Sequence, residues 1–354
     1  MSNNVWLAGA DARPRVWGLR RHQVCLAALA GTLLVDGALR AGAGWWEWVL
    51  GVALVLAALP GSSSRSWGEW GLDEVRYRVR RHLRWCSVVS DPAGLSIEAR
   101  GIQRVWCYRV THVGRWDLSG SDEAFARQLA RVVESFAAAP AGGHVSVHVA
   151  GDAPGRAPTH TTVCASEPLP ASVGWRPISA AVDAPVSIRG RVAVLERRDY
   201  LRTPTHVVRV IRATAFAPGS ERRAIEAMSG TLTWARLSLH ARVIGESRAR
   251  RLTARAVHRH GVDAQVARRA GFRWSASRER EMSVLQHRER AVAAGAALCC
   301  FALYIEVTAQ SLEQLRQRVA HVVRVTRAAG LRLDLGAARQ GDWFVYQLPG
   351  GGAW

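Results

Sequence analysis

Two apolar runs near the N-terminus constrain this chain more than any other feature. Residues 24–41 read VCLAALAGTLLVDGALRA and residues 45–59 read WWEWVLGVALVLAAL. Neither has the polar face of a helix that rests on a core with its other side in water, so each has to be enclosed by protein or by lipid. A helical span takes about 17–25 residues; the first run is just long enough, and the second qualifies once its flanks are included. Arg13, Arg15, Arg20 and Arg21 precede the first run, and Arg65, Arg76, Arg78, Arg80, Arg81 and Arg84 follow the second. Between them stands only Arg40, against Asp36 and Glu47. By the positive-inside rule this asymmetry predicts a transmembrane hairpin with both ends cytoplasmic and Trp45, Trp46 and Trp48 at the outer headgroups. Pro60 and the GSSS that follows end the second helix.

Asp36 and Arg40 are the costly residues of the first run, since a charge at mid-membrane costs about 2.5–3.5 kcal/mol on insertion scales. They lie four apart near the outer end, where they can pair on one helix face and Arg40 can reach the interface. A cleaved signal peptide is the rival, and LRRHQVCLAALAG has a twin-arginine look. Its leading region would be unusually long, and Asp36 and Arg40 would stand where small residues precede cleavage, so the hairpin is favoured. After it, Leu72, Val75, Val79, Leu83 and Cys86 recur at helical spacing among arginines, with Trp67 and Trp70 beside them. That pattern predicts an amphipathic helix, either at the inner membrane surface with both tryptophans at the interface or solvated and packed on the domain that follows.

The formal charge is +20, and all 48 basic residues are arginine. With no lysine, a P-loop and Schiff-base chemistry are excluded, and neither binding nor hydrolysis of ATP is expected. The six cysteines show no C-x-x-C spacing and point to buried free thiols in a reducing compartment.

Beyond residue 90 the expected class is α+β. Residues 96–114 alternate as paired strands, SDEAFARQLARVVESFAAA (121–139) is an amphipathic helix with Ser121 as cap, and HVSVHVA (144–150) is a strand. Residues 151–185 read as loop. Then follow THVVRVIRATAF as a strand, GSERRAIEAMSG as a helix, TLTWARLSLHARVI as a strand and residues 246–292 as an interrupted helical stretch. CCFALYIEVTA is a strand, Ser311 with Gln314 forms a capping box that opens a helix to Ala329, and residues 331–335 form a closing strand. This order suggests a ferredoxin-like unit with a long helical insertion. The expected organisation is a basic tail (1–23), a hairpin (24–59), a juxtamembrane helix (60–90), a first α+β domain (91–200) and a second (201–350).

No catalytic motif stands out, so neither an enzyme nor a cofactor is expected. His144 and His148 share a strand face, but no third metal ligand is near in sequence, and a core or edge role is favoured. His258 and His260 read as solvated. The stretch from Arg242 to Arg290 holds 13 arginines against five acidic residues. Arg248, Arg250, Arg251 and Arg255 are its candidate contacts for phosphate or for an acidic partner. Only Phe272 and Trp274 offer stacking, so docking on a partner protein is favoured over nucleic acid, for which weak, salt-sensitive binding is expected.

LRTPTHVVRVIRA, RRAGFRWSASRERE and the stretch from RERAVAAGAALCCFALYIEVTAQSLEQL to DWFVYQLPGG resemble the membrane-linked conjugation proteins of actinobacteria. The likeness is to the N-terminal, non-ATPase domain of the type IV secretion traffic ATPase with a two-span anchor ahead of it. It rests on Val307–Ala309, Ser311, Gly330–Leu331, Gln340, Phe344 and Leu348–Pro349. The plan of anchor plus α+β domains also resembles the EccE membrane component of type VII secretion. Either resemblance implies an oligomeric, multi-pass subunit of the inner or plasma membrane. It would be a non-catalytic structural part of a secretion channel that docks a separate ATPase and other subunits.

Overall fold

The computed structural model describes residues 5–9, 15–16, 19–39, 45–58, 67–82, 86–91, 94–99, 102–106, 109–114, 131–132, 134–139, 141, 143–150, 160–165, 176–177, 192–216, 234–271 and 275–347. The chain is α+β, and its pairing is predominantly antiparallel. The strands are β1 (Val5–Gly9), β2 (Arg15–Val16), β3 (Leu19–Arg20), β4 (Cys86–Asp91), β5 (Gly94–Ala99), β6 (Ile102–Trp106), β7 (Arg109–Gly114) and β8 (His144–Ala150). They continue with β9 (His160–Ala165), β10 (Arg176–Pro177), β11 (Val192–Glu196), β12 (Leu201–Arg202), β13 (Val207–Phe216), β14 (Ala235–Ile244), β15 (Ala297–Ala309) and β16 (Leu331–Asp334). The helices are α1 (Arg21–Leu39), α2 (Trp45–Ala58), α3 (Trp67–His82), α4 (Glu246–Arg269), α5 (Ala276–Ala293), α6 (Leu312–Ala328) and α7 (Gln340–Tyr346).

Among the described residues fourteen strands form one sheet, ordered β10-β7-β9-β8-β14-β15-β13-β12-β11-β4-β5-β6, with β1 beside β15 and β16 beside β13. The pairing of β8 with β14, from Arg236 opposite Ala150 to Arg242 opposite His144, carries the sheet across residue 200. Its centre is β15, where Phe301, Ala302, Leu303, Tyr304 and Ile305 are all buried. A strand covered on both faces loses the alternation of a half-exposed one, which is why it reads as a continuous apolar run.

One face of the sheet carries the main apolar core. Val145, Val147, Ala241, Phe301, Leu303 and Ile305 meet Leu315, Val319 and Val322 of α6 and, from the helical segment 134–138, Phe136. The predicted cap of α6 is present, with Ser311 Oγ accepting from Gln314 N at 3.2 Å and Gln314 Oε1 accepting from Gln310 N at 3.1 Å.

Several expectations are corrected. Residues 5–9 of the supposed basic tail form β1, which pairs in parallel with β15 from Val5 opposite Ala297 to Gly9 opposite Phe301. The helix after the hairpin ends at His82, and Cys86 instead opens β4, opposite Ala99 and Val194. Within the supposed loop at 151–185, β9 pairs with β8, and β10 pairs with β7. Backbone pairing across strands supplies there what side-chain periodicity did not announce. The predicted helix at residues 219–230 lies outside the described residues, as does the first half of the one at 121–139.

The two apolar runs do fold as an antiparallel helical pair. Gln23 Nε2 donates to the Ala58 carbonyl at 2.8 Å across its base. Near mid-height a Cβ added to Gly51 would stand 2.8 Å from Leu34, so the missing side chain lets the helices close on each other. Yet no helix among the described residues is long and apolar enough to cross a membrane. The 14 residues of α2 rise about 21 Å at 1.5 Å each. The 19 of α1 include Asp36 and begin with Arg21 and His22.

Candidate functional site

Three surfaces carry the side chains that a function could use. The first is the outside of α1–α3. Leu29, Val35, Trp45, Trp46, Trp48, Val49, Leu50, Val52 and Leu56 are all more than 40% exposed on the hairpin. Contiguous apolar area of this kind is rare on a surface that faces only water. The next helix adds to it in an unexpected way. Among its described side chains Asp73 and Tyr77 are buried, whereas Trp70, Leu72 and Val75 are exposed. Asp73 Oδ1 pairs with Arg339 at 3.2 Å, Glu74 with Arg198 at 3.4 Å, and the Arg198 guanidinium lies 5.5 Å from the Trp70 ring. Asp73 and Glu74 therefore fasten α3 to the sheet domain, while Leu72 and Val75 remain exposed. Trp67 begins α3, but its side chain lies outside the described residues.

The second surface is the helical arm formed by α4 and α5, inserted between the neighbouring strands β14 and β15. It is rooted by Ala249, Val292 and Leu298, with Ile244 packed against them. Arg248, Arg250, Arg251 and Arg255 all lie exposed on α4. Arg250 is paired with Glu246 at 2.5 Å. Phe272 and Trp274 lie outside the described residues.

The third is a buried polar face that the sequence disclosed only in part. The pairings put His148 opposite Ser238, Ser238 opposite Tyr304, and Tyr304 opposite Arg212, so four strands contribute to one row. One residue pair along, His240 stands opposite Ser146, and the next pair sets Arg242 opposite His144. His144 and His240 stack with centroids 5.4 Å apart, and His148 meets His240 edge-on at the same distance. His240 Nε2 donates to the Gln347 carbonyl at 3.3 Å. A carbonyl can only accept, so Nδ1 of His240 is bare and takes its 3.3 Å hydrogen bond from Nε2 of His144. The nitrogens of His148 lie 3.0 Å from Ser238 Oγ and 3.0 Å from Ser146 Oγ.

The cover of this face is α7. Trp343, 1% exposed, lies over Tyr304 with centroids 6.4 Å apart. Gly336 has φ 68° and faces the Trp343 ring so closely that a Cβ there would stand 2.3 Å from it. Gln347 donates to Glu306, which in turn stands 3.9 Å from Arg236. Gln340 secures the other end. Its Oε1 accepts from Val210 N at 2.8 Å, and its Nε2 donates to the carbonyls of Val210, Leu335 and Gly336 at 3.1 Å each. Val210 sits between the stretches of β13 paired with β12 and with β16, so the carboxamide replaces one residue of a missing strand.

Burial governs the charges here. It lowers the His144 pKa to about 4, with Arg242 adding repulsion, and that of His148 to about 3, with His144 adding to it. It drives His240 well below the usual histidine range, helped by His148 and His144. It also raises the Tyr304 hydroxyl to about 12. At neutral pH the face is thus three neutral imidazoles beside a protonated phenol. Among the described residues no group of three or more His, Cys, Asp or Glu has the geometry to hold a metal ion. Five of the six ring nitrogens of the trio are engaged by one another, by two serines and by a backbone carbonyl.

The chain matches no protein-family model and no curated protein. Function therefore has to be argued from these three surfaces. Sequence reasoning noticed His144 and His148 but missed His240, which lies over 90 residues away in sequence and joins them only through the β8–β14 register. The alternation Arg236, Ser238, His240, Arg242 was the available signal: a polar line on one face of an otherwise apolar strand.

Proposed function

We propose that this chain is a membrane-seated, non-catalytic structural subunit of a secretion or conjugation channel. Its hairpin sits in the bilayer, and its sheet domain and arm dock other subunits, a separate ATPase among them, in the cytoplasm. The observation that carries this reading is the set of large apolar side chains left exposed on α1, α2 and α3, while Asp73 and Glu74 of α3 are held by Arg339 and Arg198. Burying each large side chain of that surface is worth about 1.5–3 kcal/mol, and lipid is the enclosure that suits a face flanked by arginines. The stretch of α2 falls short of an apolar layer of about 30 Å, a mismatch met by local thinning of the bilayer and by the tryptophans at the tip.

The spatial order β14-β15-β13-β16 is second, third, first, fourth along the chain, all antiparallel. That supports a ferredoxin-like unit with α4–α5 as its helical insertion. The same plan of anchor and sheet domain suits a type IV traffic-ATPase-like part or an EccE-like part of type VII secretion.

Topology is testable. A reporter that works only outside the membrane, fused after Gly44, is expected to be active, and the same reporter after Trp354 silent. Equal activity at both positions would contradict the hairpin, and a mature N-terminus near Ala41 would replace it with a signal peptide.

A further inference from the structure

The arm presents a stripe that its own partner helix leaves uncovered. Along α4, Ala249, Thr253, Ala256, His260 and Ala264 are buried or half-buried, and His260 Nε2 reaches Glu281 of α5 at 3.6 Å. Beside that seam runs a second line, Arg248, Leu252, Arg255, Arg259, Val262 and Val266, at spacings of 4, 3, 4, 3 and 4. Its three arginines are exposed, and its aliphatic members stay 38%, 43% and 60% exposed. Alternating steps of four and three are the repeat by which one helix packs along another. Arg248 and Arg255 make no ion pair among the described residues.

We propose that this stripe is the docking face for an acidic amphipathic helix of a partner protein. The inference rests on the reading that the chain docks other channel subunits, and it names the surface and the chemistry of one of them. Half of the stripe is aliphatic and fits the apolar seam of a helix; the other half is guanidinium and fits carboxylates at its flanks. A second copy of the arm is a poor occupant, because residues 246–293 carry 12 arginines against five acidic residues. Nucleic acid fits less well, since the described residues of α4 and α5 include no Phe, Tyr or Trp for stacking and Leu252, Val262 and Val266 offer phosphate nothing. A lipid surface would want the arginines flanking an apolar face; here they interrupt it.

The test uses the full chain in detergent at near-physiological salt. The probe is a synthetic helix of about four heptads with leucine at the seam and glutamate at its flanks. Controls are the same peptide with lysine for glutamate, a single-stranded oligonucleotide and anionic lipid vesicles. The acidic peptide is expected to bind, and Val262→Asp with Val266→Asp to weaken it about tenfold or more. Arg255→Glu with Arg259→Glu is expected to lose the acidic peptide and to gain the lysine peptide, a switch that an unfolded arm would not make. No binding of the acidic peptide overturns the proposal. So does binding that survives the valine changes, or an oligonucleotide or vesicle bound as tightly as the peptide. Retention in alkali-washed membranes is scored in parallel. A chain retained there that ignores the peptide refutes the docking face alone, and a released chain that binds it refutes the membrane seat alone.

Discussion

Replacing Trp343 with alanine is expected to lower the unfolding free energy by about 3–5 kcal/mol, a large share of the stability of an ordinary domain. The ring is almost fully buried, rests on Tyr304 and fills the space that Gly336 leaves open. Its removal leaves a cavity between α7 and the sheet and loosens the lid over the histidine face. Trp343→Phe keeps part of the contact and should lose markedly less. Urea titration of the two variants beside the parent checks this; equal midpoints for all three would show that α7 is not a structural lid.

Acid should act on the same face. The three imidazoles titrate lower in the folded chain than the ordinary value of 6.5, so the folded state binds fewer protons than the unfolded one once the pH drops below that value. Their contribution is fully present above about pH 6.5 and is lost as the pH falls toward about 4 for His144 and about 3 for His148. Each imidazole that must stay neutral steepens the loss by about 1.4 kcal/mol per pH unit. The surroundings hold cations already: Arg242 faces His144, Arg212 stands in the row of His148 with Asp334 opposite it, and Arg236 stands one row away beside Glu306. Stability measured between pH 7 and pH 4.5 should therefore fall steeply, and His148→Asn should flatten the slope. A flat profile in the parent chain would mean that the cluster is open to water.

What could be read beforehand followed local periodicity. HVSVHVA alternates cleanly and is β8, and Ser311 with Gln314 marked the start of α6 to the residue. What escaped was written across strands. Residues 5–9 hold too short a pattern to signal β1 until β15 stands beside them. Gln340 looks like any polar residue until its carboxamide is seen completing the ladder at Val210. His240 joined His144 and His148 only through register. Of the stripe expected on α3, Leu72 and Val75 are exposed on the helix and Cys86 lies in β4 instead, and which side of that helix meets the protein is decided by Arg198 and Arg339, more than 100 residues on.

A hairpin of α1 and α2 seated in lipid would resist stripping from the membrane. Its most direct test is alkaline extraction of membranes holding the full chain, beside a variant carrying Leu50→Glu, Val52→Glu and Leu56→Glu together. All three side chains are exposed on α2, so the changes spare the contact with α1. The parent is expected to stay in the pellet and the variant to be released; a parent found in the supernatant would put the hairpin outside the bilayer.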